Sequence, residues 1–223
     1  MKKKLVFLFD VDNTLLDNDR VTADLKRQLE HEIGHERQER YWSIFEELRA
    51  ELGYADYLGA LQRYRAIYPC DLRVLNVSEF LLHYPFADRL FPKSLDAVKY
   101  VKQFGTPVIL SDGDVVFQPH KIHDSGLYKA FEGEVLIYIH KEVELEDVEN
   151  RYPAEHYVLT DDKLRILTAV KRVWSQRVTT VFVRQGHYAL DEKVISSYPP
   201  ADITIERIED MLQLPFSDFG LQN

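Results

Sequence analysis

Apolar positions in this chain fall into two textures, and the border between them lies near Pro92. Before it stands one uninterrupted apolar run, Leu5-Val6-Phe7-Leu8-Phe9, which predicts a short strand buried on both faces. The rest of that half reads as helix only. Leu25, Leu29 and Ile33 share one helical face, with Thr22 as the expected N-cap and Gly34 as the stop. Tyr41, Trp42, Phe45, Leu48 and Leu52 mark a second helix over about 37–52, ending near Gly53. A third covers about 54–67, and Ser78 caps a short fourth through Leu82. Aromatic stripes at this spacing are read as core.

Beyond Pro92 strands and helices alternate. A helix over Ser94–Phe104 closes at Gly105 and leads into the strand Pro107–Leu110. A helix near 117–125 leads to the strand Val135–Ile139, and a helix near 145–151 to the strand Tyr157–Leu159. The amphipathic helix Leu164–Trp174 precedes a strand at Thr179–Val183. A last short strand, Asp202–Ile205, stands before a final helix. Units of this kind predict a parallel sheet with right-handed crossovers. The expected fold is therefore α/β, a doubly wound parallel sheet with a Rossmann-like core. An all-helical module over 16–91 interrupts it, leaving 1–15 and 92–223 as the core.

Composition narrows the class. Asp and Glu number 37 against 28 Lys and Arg, a net charge of −9. That balance lacks the basic face of a nucleic-acid binder. No segment approaches the apolar length of a membrane span. Met1-Lys2-Lys3-Lys4 before the first strand is read as a solvated lead-in, because the apolar run stops at Asp10 with no cleavage site after it. The single cysteine, Cys70, cannot pair internally, so a reducing, cytoplasmic setting is expected. Nothing in the sequence fixes an oligomeric state.

Four of the expected strands end in polar residues, which a parallel sheet gathers along one edge. The first supplies Asp10, Asp12 and Thr14; the second, Ser111 and Asp112; the third, Lys141; the fourth, Asp161 and Asp162. Clustered like charges need a cation, a shared proton or a substrate to offset them. Hard carboxylate oxygens suit Mg²⁺, which binds few carboxylates together with water and substrate phosphate. His31/His35 and His120/His123 fall at helical spacings but find no third ligand.

Asp10-Val11-Asp12-Asn13-Thr14-Leu15, a serine after the second strand, a lysine some thirty residues later and an acidic pair after a further strand together resemble the haloacid dehalogenase-like hydrolase superfamily. The resemblance spans essentially the whole chain and is closest to phosphatase-type members with a helical cap inserted after the first motif. It implies that Asp10 attacks phosphorus to give an aspartyl-phosphate. Asp12 would serve as general acid and then base, and Thr14, Ser111 and Asp112 would line the phosphoryl pocket. Lys141 would offset charge on Asp10 and the transferring oxygens. Mg²⁺ would be held by Asp10, the Asp12 backbone carbonyl, Asp161 and Asp162. Lys121 is a rival for the lysine role but is read as solvated on its helix. Asp112 and Asp114 are read first as caps for the helix near 117.

The implied activity is hydrolysis of a small phosphorylated metabolite, with no nucleic-acid or membrane partner. A mutase-like phosphoryl transfer and an inactive binding module are the alternatives. Asp12 argues against dehalogenation, since members doing that chemistry lack this acid. Thr160 departs from the family in standing where many relatives have glycine.

Overall fold

The computed structural model describes residues 5–216. The lysine-rich lead-in expected at 1–4 lies outside the described residues. Six parallel strands form one sheet in the order β3-β2-β1-β4-β5-β6. They are β1 (Leu5–Phe9), β2 (Thr106–Asp112), β3 (Val135–Tyr138), β4 (His156–Asp161), β5 (Val178–Val183) and β6 (Ile203–Ile205). β1 is central, pairing Phe9 with Ile109 of β2 and with Thr160 of β4. Successive strands run outward on one side of β1 and then restart at β4 on the other. The chain thus reverses its progression between β1 and β4, where ligands collect at strand C-termini.

Strand periodicity divides the interior. Phe7 and Phe9 face a core that includes Val98, Val101, Phe117, Ile122 and Phe131. Val6 and Leu8 face another built with Val148, Ile166, Leu167, Val170 and Trp174. The first layer comes from α5 (Ser94–Val101), α6 (Phe117–Asp124) and α7 (Leu127–Ala130), the second from α8 (Leu145–Arg151) and α9 (Leu164–Trp174). Both faces of β1 are covered, which accounts for a continuous apolar run where a half-exposed strand would alternate. Burying each of these large side chains contributes about 1.5–3 kcal/mol.

Four helices fill the interval between β1 and β2: α1 (Asn18–Ile33), α2 (His35–Leu52), α3 (Tyr57–Ile67) and α4 (Val74–Leu82). The chain enters and leaves this module through two adjacent passes. Leu16 and Leu90 form an antiparallel bridge there. Asp17 N donates to Arg89 O at 2.8 Å and Phe91 N to Leu15 O at 2.9 Å. Tyr57 and Phe86 each set a ring edge against Phe117, with centroids 5.6 Å apart. Two-sided helical layering and an inserted helical cap agree with the expected fold class.

Several boundaries differ from expectation. Asp17, not Thr22, caps α1, its carboxylate accepting from Arg20 N at 2.9 Å. Thr22 lies one turn inside the helix, where its hydroxyl meets that of Tyr57. Ser78 likewise sits within α4, which begins at Val74 after the turn around Asp71. Two short helices, α10 (Gly186–Leu190) and α11 (Glu192–Ile195), carry too little periodicity to be read from sequence. The segment after β6 is the 3₁₀ turn Ile208–Gln213 rather than an α-helix. No helix among the described residues is long and apolar enough to cross a membrane.

Candidate active site

Asp10 follows the last residue of β1 and is 3% exposed. The chain then turns tightly: Leu15 N donates to Val11 O at 2.9 Å and Asn13 N to Leu16 O at 2.6 Å. Asn13 takes the left-handed conformation, with φ 61°, which Asn tolerates better than most residues. Its side-chain amide donates to Asp19 at 3.0 Å, anchoring the turn to α1. Gly186 closes over the same turn, where a Cβ would lie 2.5 Å from Asn13 Cβ. Within the loop, Thr14 Oγ1 donates to Asp10 Oδ2 at 3.3 Å.

Lys141 reaches this carboxylate from beyond β3. Its buried ammonium donates to Asp10 Oδ1 at 2.5 Å and to Leu110 O at 3.2 Å, and lies 2.7 Å from Asp161 Oδ2. Burial alone would favour the neutral amine, but Asp10, Asp161 and Asp112 together raise its pKa above the ordinary lysine range. Asp161 ends β4, and its Oδ1 accepts from Lys163 N at 2.8 Å. Asp162 is also buried, yet neither of its carboxylate oxygens has a hydrogen-bond partner among the described residues. Burial pushes its carboxyl well above the usual range.

An orphaned buried carboxylate beside two more is costly unless a cation or proton offsets it. Asp10, Asp161 and Asp162 each present an oxygen within 4.8 Å of the others, which fits a hard divalent ion. The Asp12 side chain is not in that group. It turns instead to Lys121, whose Nζ lies 2.7 and 3.0 Å from its two oxygens and 3.0 Å from Asn18 Oδ1.

That pairing corrects the reading of Lys121 as solvated. The residue is 1% exposed. It lies on the face of α6 turned toward the β1 turn, its ammonium 5.6 Å from the Phe117 ring centre. One turn earlier on that face, Gln118 Nε2 donates to Ser111 Oγ at 2.9 Å. The two residues follow Ser111 by seven and ten positions, and their helical i, i+3 spacing was the available signal.

The acidic pair after β2 divides its work. Asp114 Oδ1 accepts from Val116 N and Phe117 N at 2.9 and 2.6 Å, capping α6. Asp112 does not cap that helix; its Oδ1 accepts from Lys141 N at 2.7 Å and so fixes the backbone that carries the lysine. Burial raises the Asp112 carboxyl to about 6, against the opposing charge of Lys141.

The helical module closes over this floor. A Cβ on Gly53, at the end of α2, would lie 2.5 Å from the His140 ring. Arg49, one turn earlier, donates to the Tyr188 hydroxyl of α10. The Lys163 ammonium lies 5.4 Å from the Tyr188 ring centre. Burial opposes the charge of Lys163, but Asp162, Asp10 and Asp161 raise its pKa above the ordinary range. His187 Nδ1 approaches Asp19 Oδ1 to 2.6 Å across the same seam.

A carboxylate at the tip of the first strand, a buried lysine and an acidic pair on the neighbouring strand define a class that comparison with known proteins identifies. Residues 5–171 match the haloacid dehalogenase-like hydrolase family. A haloacid dehalogenase-like hydrolase from Burkholderia xenovorans LB400 is 60% identical, with a TM-score of 0.91 over 95% of this chain and 99% of that one. The chain belongs to the haloacid dehalogenase-like hydrolase family.

Two more distant structures share the fold. Magnesium-bound YfnB of Bacillus subtilis is 17% identical, with a TM-score of 0.62 over 96% of this chain and 100% of that one. The L-2-haloacid dehalogenase of Xanthobacter autotrophicus with chloropropionic acid covalently bound is 16% identical, with a TM-score of 0.61 over 96% and 98%. No curated protein matches the chain.

Proposed function

We propose that this protein is a Mg²⁺-dependent phosphatase of small phosphomonoesters that works through an aspartyl-phosphate on Asp10. The observation that carries the reading is the pair of carboxylates Asp10 and Asp12 with two separate buried lysines. Lys141 takes Asp10, and Lys121 takes Asp12. A nucleophile and an acid–base group two residues apart thus have independent partners and distinct environments.

In the proposed reaction an Asp10 oxygen bonds to phosphorus while the ester P–O bond breaks. Asp12 gives its proton to the departing oxygen, releasing an alcohol. Water then attacks phosphorus, Asp12 takes its proton, and the bond to Asp10 breaks to release inorganic phosphate. Thr14, beside Asp10 Oδ2, and Ser111, whose hydroxyl accepts from Gln118, would turn their hydroxyls to the phosphoryl oxygens when substrate binds. Lys141 stabilises charge that develops there, and Asp112 keeps its backbone in position. Asp10, Asp161 and Asp162 would hold Mg²⁺, with the Asp12 backbone carbonyl as a further ligand; the ion would neutralise charge on the phosphoryl group. The helical cap excludes bulk water and favours a small, soluble phosphorylated metabolite over a nucleic acid or a membrane. Cytoplasmic residence is part of the same reading, on the strength of the single cysteine.

The test is hydrolysis of p-nitrophenyl phosphate and a panel of phosphorylated metabolites with Mg²⁺, with EDTA, and with Asp10→Asn. Activity is expected only in the first condition. Halide release from 2-chloropropionate, with every phosphate ester left intact, would overturn the assignment.

A further inference from the structure

The mouth of the site carries cations that the reaction above does not use. Arg49 is half buried on the last full turn of α2, and its guanidinium spends one donor on the Tyr188 hydroxyl. Its nearest carboxylate among the described residues is the exposed Glu46, at 3.7 Å. Lys163 lies over the ring of the same tyrosine, with no direct ion pair among the described residues but within the field of Asp162, Asp10 and Asp161. The two therefore converge on Tyr188 from opposite sides of the cap–core seam, one from the helical module and one from the core.

This convergence lies beside the chemistry. Gly53, one turn beyond Arg49, abuts His140, the neighbour of Lys141. Lys163 follows the metal-site pair Asp161-Asp162 directly. A guanidinium with unused donors in a planar fork matches a carboxylate or phosphate in two-point contact. A site with an acidic floor also needs separate cations before it accepts a second anion.

We infer that Arg49 and Lys163 form a second anion subsite at Tyr188, so that the substrate is a short phosphomonoester whose organic part bears another anionic group. The inference rests on the phosphatase reading for its reaction, though not for its binding test. Arg49 is then a specificity residue that reads the leaving group, and Tyr188 positions it.

The probes are phosphonoacetate, which carries a carboxylate, and methylphosphonate, which does not, each titrated calorimetrically with Mg²⁺ present. The wild type is expected to bind phosphonoacetate about tenfold or more tightly than methylphosphonate. Arg49→Gln should remove most of that ratio and Arg49→Lys should keep part of it, since lysine retains the charge without the fork. Lys163→Gln reads the same ratio from the core side and covers an Arg49→Gln that does not fold. Equal affinities in the wild type, or an unchanged ratio in both Gln variants, would overturn the subsite. Loss of preference with p-nitrophenyl phosphate still hydrolysed defeats the subsite alone. Preference retained with no phosphate ester hydrolysed defeats the phosphatase reading alone.

Discussion

Lys121 Nζ sits 2.7 Å from Asp12 Oδ1, so the residue two places after Asp10 is held by a lysine 109 positions away. The same ammonium binds Asn18, the first residue of α1, and so ties the Asp12 carboxylate to the start of the helical module. Lys121→Met should lower kcat on p-nitrophenyl phosphate by about tenfold or more, because Asp12 loses the partner that orients it. Asp12 is partly exposed, so water screens the loss. The expected destabilisation is about 1–2 kcal/mol, read by urea denaturation.

Lys141 compensates two buried carboxylates at once. Lys141→Met leaves Asp10 and Asp161 unpaired, and the metal-free protein should lose about 3–5 kcal/mol. Added Mg²⁺ should restore part of that loss. Thermal melts of the variant that coincide with wild type in EDTA would contradict the ion-pair assignment.

The unpartnered Asp162 carboxylate makes a prediction about metal linkage. A cation at 100 times its Kd stabilises the native state by about 2.7 kcal/mol. The wild-type melting temperature should therefore climb with Mg²⁺ concentration. Asp162→Asn should flatten that climb, whatever its effect on the metal-free protein.

Asp112 gives the pH dependence. Its carboxyl rises from an ordinary 3.8 to about 6, chiefly through burial. Folding thus favours its protonated form, a contribution present below pH 3.8 and lost as pH climbs through about 6. Asp112→Asn keeps an acceptor for Lys141 N without the charge. Its stability relative to wild type should increase between pH 4 and 7 and then level off, as measured by urea midpoints.

Gly53 has φ 84° and His140 against its α-hydrogen face. Gly53→Ala should cost about 1–2 kcal/mol from the left-handed backbone alone, with a further steric cost at the imidazole. His140→Ala in the same chain should recover the steric part only, as a double-mutant cycle would separate.

Much of this was readable in the residues. The five-residue apolar run and its acidic terminus located β1 and Asp10, because a strand covered on both faces has no polar positions to disguise it. Asp161, Asp162 and Lys141 were legible for the same reason, each following an apolar run. Lys121 was not: a lysine in a helix is solvated far more often than buried, and its partner lies in another part of the sequence. Arg49 and Tyr188 were hidden likewise, since their meeting depends on how the cap docks. The Asp17 cap of α1 is masked in the sequence because Thr22 stands nearer the first periodic apolar residue.

Leu16 and Leu90 bridge the two passes that lead into and out of the helical module. Hydrogen-bonded side by side, the two passes give the module a narrow, paired attachment to the core. Asp12 and Asn18 stand on the entering pass on either side of Leu16, and both are gripped by a lysine rooted in the core. That grip spans the entering pass, so one core side chain fastens both ends of the stretch through which the module joins the sheet.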